Sequence, residues 1–331
     1  MMRECRFRMR RTWHMALCGA VICAAIPPAT GQVYPVKPVR ILVPFTAGGP
    51  TDFVARTFAA KFNEAWGQQV LVDNRPGANT IVAAELTAKA PPDGYTLFQT
   101  TAATKVNNTL LYRKLPYDAR KSFALISMTV IFSYALIAHP SLPANSVKEF
   151  VGLARSRPGE LSYGSSGIGS SGHLAGVLFE TMAGVKLVHV PYKGVAIGIA
   201  DTIGGQIPLM FTSMATAQPH LPQRKIKVLG IAAPKRHPNW PATPTIAEAG
   251  YPGFEMNTWY GFVAPAGTPR PVIERVHADT VRIAAMPDVV EKLKAFGFDM
   301  ITNTPEEFAA YIARDIDRVA KAVKASGIQL D

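Results

Sequence analysis

The chain has three cysteines among 331 residues, and all of them, Cys5, Cys18 and Cys23, fall before residue 32. The rest of the sequence therefore has no disulfide, no thiolate metal ligand and no cysteine nucleophile. Long apolar runs are missing too: no stretch reaches the roughly 18 residues that a bilayer span needs. Asp, Glu, Lys and Arg make up only 18% of the chain. The basic residues are scattered, with no dense run and no aromatic interleaving, which argues against nucleic acid as a partner. His139, His173, His189, His220, His237 and His277 show neither H-x-x-x-H nor H-E-x-x-H spacing and have no paired carboxylates beside them, so no metal site is expected.

Residues 1–31 have the plan of an export signal. Arg3, Arg6, Arg8, Arg10 and Arg11 precede an apolar core over 15–26, and the small residues Ala29, Thr30 and Gly31 follow. Cleavage is expected near Gly31. Thr12, Trp13 and His14 after the arginine pair fit the twin-arginine route poorly and favour general secretion. Five arginines and Glu4 supply +4 of the net charge of +12, leaving +8 on the remainder, a mild bias toward anionic solutes. A soluble, periplasmic, monomeric protein held by an ordinary apolar core is expected.

Short β-branched runs alternate with helical periodicity. Strands are expected over 39–43, 70–72 and 95–99, with helices ending near Trp66 and covering about 80–89. A second series runs through strands at 133–137, 161–163, 187–190 and 208–211 and helices at 147–156, 171–183 and 195–203. After 226–232 and a proline-rich stretch come a strand at 259–263, two or three helices over 271–296 and a final helix over 305–326. The sequence is α/β, with right-handed βαβ crossovers onto parallel sheets. The last helices carry few strands of their own, so the chain is expected to return to its first domain and cross between domains twice.

Two glycine-rich loops sit between a strand and a helix. In the first, Phe45-Thr46-Ala47-Gly48-Gly49 leads into Pro50, Thr51 and Asp52, which suit a first helical turn. It is either a plain βα connection or an anion-binding helix start. In the second, Gly167-Ile168-Gly169-Ser170-Ser171-Gly172 matches the dinucleotide pattern G-x-G-x-x-G, but no acid follows at the spacing a ribose requires. The serines also miss G-x-S-x-G spacing, and His173 reads as a packing residue. Amides and hydroxyls at a helix start remain, a pair of loops able to clamp a small polar ligand.

Several blocks resemble one family in its order: Pro44 to Gly49 with Asp52 and Arg56, Asn74-Arg75-Pro76-Gly77, Pro92 to Leu97, Leu115-Pro116-Tyr117-Asp118, Tyr163 to Leu174, Val190 to Gly194, Gly204-Gly205-Gln206, Trp259-Tyr260-Gly261 and Ala264 to Pro269. The chain is similar to the exported substrate-binding proteins of tripartite tricarboxylate transporters, the Bug family. That resemblance implies a two-lobed periplasmic binding protein of the Venus-flytrap type, each lobe a mostly parallel sheet flanked by helices. Lobe 1 would hold residues 32–133 and 253–331, and lobe 2 residues 134–252. It implies capture of a small organic acid (a di-, tri- or monocarboxylate, an aromatic acid or an amino acid) for integral-membrane permease subunits, with no cofactor and no catalysis. Implied ligand contacts are Phe45, Thr46, Ala47, Gly48, Gly49, Thr100, Thr101, Ser165, Ser166, Gly169, Ser170, Tyr192 and Trp259. Gly77-Ala78-Asn79 shortens the family's glycine run, and Val82 stands where glycine is common. A periplasmic sensor presenting its closed form to a membrane kinase, and an exported serine hydrolase, are the alternative functions.

Overall fold

A computed structural model describes residues 34–326, so the export signal read in residues 1–31 lies outside the described part. The chain runs through β1 (Val39–Val43), α1 (Pro50–Trp66), β2 (Val70–Asn74), α2 (Ile81–Ala88) and β3 (Thr96–Thr101). A π-helical turn (Ala103–Asn107), α3 (Asn108–Leu111) and the long β4 (Phe123–Ala138) follow. Next come α4 (Val147–Ser156), β5 (Ser162–Ser165), α5 (Ser171–Ala183), β6 (Val188–Pro191), α6 (Val195–Ile203), β7 (Leu209–Ser213) and α7 (Met214–Ala217). After β8 (Lys227–Ile231) the chain makes β9 (Asn257–Pro265), α8 (Arg270–Ala284), α9 (Pro287–Lys294), β10 (Asp299–Met300) and α10 (Pro305–Ser326).

The strands form a continuous mixed array in the order β2-β1-β3-β9-β4-β7-β5-β6, with β8 and β10 also paired to β4. Three parallel strands lie at each end, β2-β1-β3 and β7-β5-β6. Their βαβ crossovers account for the alternating pattern in the sequence. The middle is antiparallel, because β4 and β9 are the strands by which the chain travels out and back.

β4 serves both halves. Residues 123–133 pair with β9, and residues 134–138 pair with β7 and β8. At the change of partner, Tyr134 N–H donates to Met256 O at 3.0 Å and Ala232 N–H donates to Tyr134 O at 2.7 Å. The outgoing and returning chains are thus tied at one level. α10 lies against α5, β4 and the π-helical turn, spanning both halves.

Two aromatic groupings sit within one continuous apolar core, one in each half. Phe58 and Phe62 project from α1 four residues apart, on one helix face, and pack against Phe262 of β9. In the other half Phe150 and Phe179 stack, and Phe211 and Phe254 surround Phe179. All seven are fully buried, each stabilising the fold by about 1.5–3 kcal/mol relative to exposure. With strand ends and helix starts fixed by these groupings, the loops between them are held where the two halves meet.

Candidate ligand-binding site

The first loop is pinned at both ends. Asn74 Nδ2 donates to Phe45 O at 3.0 Å, and Gly48 N–H donates to Asp52 Oδ2 at 3.0 Å. Gly48 takes φ +81°, the left-handed region that glycine tolerates. Arg56 joins the two anchors, donating from Nε to Asp52 Oδ2 at 2.9 Å and from Nη2 to Asn74 Oδ1 at 3.3 Å. Burial works to raise the Asp52 pKa, but hydrogen bonds from Arg56, the Gly48 amide and Asn74 prevail and hold the carboxyl below its usual range. α1 then starts at Pro50, and its first intrahelical bond runs from Phe53 N–H to Gly49 O. Pro50 has no N–H, so Thr51 and Asp52 carry the amides that lack an intrahelical partner.

The second loop rests on uncharged groups. Ser170 caps α5, accepting from His173 N–H at 3.2 Å, and donates to Ser165 Oγ at 3.2 Å. Ser165 Oγ lies 2.7 Å from His189 Nε2, and Gly169 N–H donates to His173 Nδ1 at 3.0 Å. The two imidazoles stack with centroids 4.0 Å apart. Burial lowers His173 to about 4; burial, then the neighbouring His173, lowers His189 to about 3. Both rings are neutral at pH 7. The Ser165–His189 spacing is that of a nucleophile and base, but Ser165 is fully buried and does not line the cavity described next.

Between the loops lies a cavity of about 440 Å³. Phe45, Thr46, Gly49, Pro50 and Thr51 line it from the first loop and α1, and Ser166, Ser170 and Ser171 from the second loop and α5. Thr101 and Ala103 reach it from the end of β3, Tyr134 from β4, Val195 from the start of α6, and Thr258 and Tyr260 from β9. No charged side chain among the described residues lines it. Two long helices point their N-termini into it, α1 and α5, and partial positive charge at such ends favours an anion. Thr46 Oγ1 is buried with no hydrogen-bond partner among the described residues. Tyr134 and Tyr260 add hydroxyls. Burial raises both pKa values, outweighing the hydrogen bonds of Tyr134 with Ser171 and Ser166 and of Tyr260 with Thr51, so both remain protonated donors.

The halves meet around this space. Asn107 Nδ2, from the π-helical turn, donates to Gly169 O at 3.1 Å and Ser171 Oγ at 3.4 Å, and Ser171 Oγ donates to Thr258 Oγ1 at 3.4 Å. Gly194, before α6, approaches Thr46 so closely that a Cβ there would sit 2.5 Å from Oγ1.

Of the residues expected from the sequence, Phe45, Thr46, Gly49, Thr101, Ser166 and Ser170 line the cavity. The others sit elsewhere. Ala47 and Gly48 are exposed, and the Gly48 amide turns inward to Asp52 rather than toward the cavity. Thr100 points to the opposite side of β3 from Thr101, as strand alternation requires, and its buried hydroxyl has no partner among the described residues. Ser165 and Gly169 brace the second loop from beneath through His189 and Asn107. Tyr192 turns its hydroxyl to Asp201 at 2.8 Å and borders an outer space instead. Trp259 stands between Thr258 and Tyr260 on β9 and so faces the other way. It is fully buried, donates to Asp315 at 2.8 Å and packs edge-on against Phe308 and Tyr311. Sequence reading missed Tyr134, Tyr260, Thr258, Ser171, Thr51, Pro50, Ala103 and Val195. Thr258 and Tyr260 carried the signal of hydroxyls two apart on one strand face; Tyr134 reaches the site only because β4 changes partner there.

The model of the tripartite tricarboxylate transporter family receptor matches residues 54–328. The chain is 36% identical to a UPF0065 protein encoded in the tcbD-tcbE intergenic region of Pseudomonas sp. strain P51, covering 88% of this chain and 87% of that protein. It is 31% identical to protein BugT of Bordetella pertussis, covering 97% of this chain and all of BugT. Among solved structures it is similar to Rpa4515 of R. palustris with adipate, at a TM-score of 0.87 and 36% identity, covering 89% of this chain and 99% of that one. The fold is that of a periplasmic binding protein, and the chain belongs to the tripartite tricarboxylate transporter receptor family.

Proposed function

We propose that this protein is a periplasmic receptor that captures a small organic carboxylate in the cavity between its halves and presents it to membrane permease subunits. The observation that carries the reading is the convergence of two helix N-termini and the unpaired Thr46 hydroxyl on a cavity with no charged side chain. Such a site holds a carboxylate with fixed dipoles and hydroxyls. A relative with 36% identity is known with adipate, an organic acid, in its structure.

In this reading residues 34–133 and 253–326 form one lobe and residues 134–252 the other. Each contributes one loop, so the carboxylate is fully gripped only when the lobes close. Closure about Tyr134, where β4 changes partner, would make the liganded form the one a permease recognises. No helix among the described residues is long and apolar enough to cross a membrane, which suits a receptor that relies on separate permease subunits. Binding replaces chemistry, since the Ser165–His189 pair lies outside the cavity.

A thermal-shift screen against mono-, di- and tricarboxylates, aromatic acids and amino acids tests the reading. Ligand at a hundred times its Kd should add about 2.7 kcal/mol of stability. No shift from any carboxylate, together with steady hydrolysis of a model ester, would overturn it.

A further inference from the structure

The central cavity continues in two directions that differ in chemistry. Past Gly49, Pro50 and Val195 it adjoins a space of about 610 Å³ walled by Phe53, Phe296, Phe298, Ile199, Ala215 and Pro219. Phe298 is fully buried, Ile199 and Ala215 are buried, and the Phe53 and Phe296 rings pack 4.5 Å apart. Among the described residues His220 is the one ionisable side chain on these walls, and Thr216 adds a hydroxyl. Burial, then the nearby Lys225, lowers the His220 pKa and keeps the ring on the neutral side. Lys292 lies over the Phe53 ring at 5.3 Å but does not line the space. In the other direction, past Phe45 and Ser166, a space of about 660 Å³ is bordered by Asn79, Thr80, Tyr112, Tyr192 and Lys193. Lys193 there is exposed, at the solvent rim.

From this asymmetry we infer that the preferred ligand is a monocarboxylate with an apolar tail, a medium-chain aliphatic or arylalkyl acid whose tail occupies the space walled by Phe53, Phe296 and Phe298. The inference rests on the carboxylate reading above and adds to it the class of acid. An apolar tail placed there covers aromatic and aliphatic walls, whereas the opposite space sets Asn79, Thr80 and Lys193 beside it. A second carboxylate on the same tail would be stripped of water with no lining charge to meet it, a costly burial. Di- and tricarboxylates are therefore selected against.

Hexanoate and adipate share a six-carbon chain and differ only in the distal carboxylate, so calorimetric titration of the purified protein with each isolates the tail. Hexanoate is expected to bind about tenfold or more tighter than adipate. Ala196→Lys, which places a cation on a half-exposed wall of the apolar space, is expected to raise adipate affinity and narrow the gap. Adipate binding as tightly as hexanoate, with that affinity lost in Lys193→Gln, would put the tail at the opposite rim and overturn the inference while leaving the carboxylate reading intact. Failure of hexanoate, adipate, malate and 3-phenylpropanoate alike to bind would remove the carboxylate reading and the inference with it.

Discussion

The two loops that face each other across the cavity present helix N-termini in the same way and are supported in opposite ways. Behind the first, a carboxylate and a guanidinium, Asp52 and Arg56, tie Gly48 and Asn74 together. Behind the second, two neutral imidazoles and two serine hydroxyls do that work. Neither support reaches the cavity with a charge. A site that holds an anion by dipoles needs its amides fixed before the ligand arrives, and the pair shows that an ionic brace and a hydrogen-bonded stack both achieve this. Their sensitivities should differ.

The largest expected effect follows from removing the ionic brace. Asp52→Ala frees the Gly48 amide and leaves Arg56 without its buried partner. Hydrogen bonds to charged groups contribute about 1.5–3 kcal/mol each, so calorimetry should show carboxylate affinity falling by tenfold or more, with lower thermal stability. Unchanged affinity would mean that the first loop needs no brace and would break the parallel between the loops.

A smaller effect is expected from Ser170→Ala in the second loop. It removes the α5 cap and one cavity hydroxyl, but His189 and Ser165 still hold each other. Denaturant unfolding should show a loss of about 1 kcal/mol, in the range of helix N-caps, and affinity should fall less than in Asp52→Ala. A larger loss than in Asp52→Ala would make the second loop the dominant grip.

The smallest and most discriminating difference lies in pH. His173 and His189 have pKa values depressed to about 4 and about 3, below the roughly 6.5 of an unfolded histidine. Their stabilising contribution is present above about 6.5 and is lost as pH falls from there toward 4 and 3, because only the unfolded chain takes up the protons. Asp52, also depressed, contributes above the ordinary carboxylate range and loses its share only as pH drops below about 4. Between pH 6.5 and 4.5 the acid-induced loss should therefore come from histidines, those of the second loop and His220, whose pKa burial also lowers, and not from Asp52. His189→Gln should flatten the unfolding curve across that window and Asp52→Asn should not; the reverse result would exchange the roles of the two supports.

Much of the fold was legible because each βα unit is a local pattern. Residues 39–43, 147–156, 195–203 and 305–326 were expected and found as elements. The long β4 was read only over 133–137. Residues 123–132 show no alternation, since both faces are covered and Ser127 and Thr129 are buried among the apolar residues. The π-helical turn over 103–107 carries no propensity signal, and it buries Lys105, whose ammonium donates to Ala119 O. At the shortened glycine run, Ala78, Asn79 and Thr80 all take positive φ. Asn108 offsets that strain, donating to Asn79 O at 2.8 Å and accepting from Asn79 Nδ2 at 2.8 Å.

The site was legible as two loops and less so as a cavity. Helix-start glycines and serines advertise themselves in sequence, but which strand face meets them depends on register. That is why Trp259, expected as a ligand contact, faces away from the cavity while Tyr260, its neighbour, lines it. Likewise Gly48 was expected as a ligand contact, and only the structure shows its amide paired with Asp52 four residues on.

The central claim is that fixed dipoles and hydroxyls, without a basic side chain, hold a carboxylate. The most direct measurement compares the affinity of the purified protein at pH 7 for the tightest-binding acid with that for its primary amide, which has the same shape and no charge. An anion grip predicts the amide binding about a hundredfold more weakly, a difference of about 2.7 kcal/mol. Equal affinity for acid and amide would contradict it.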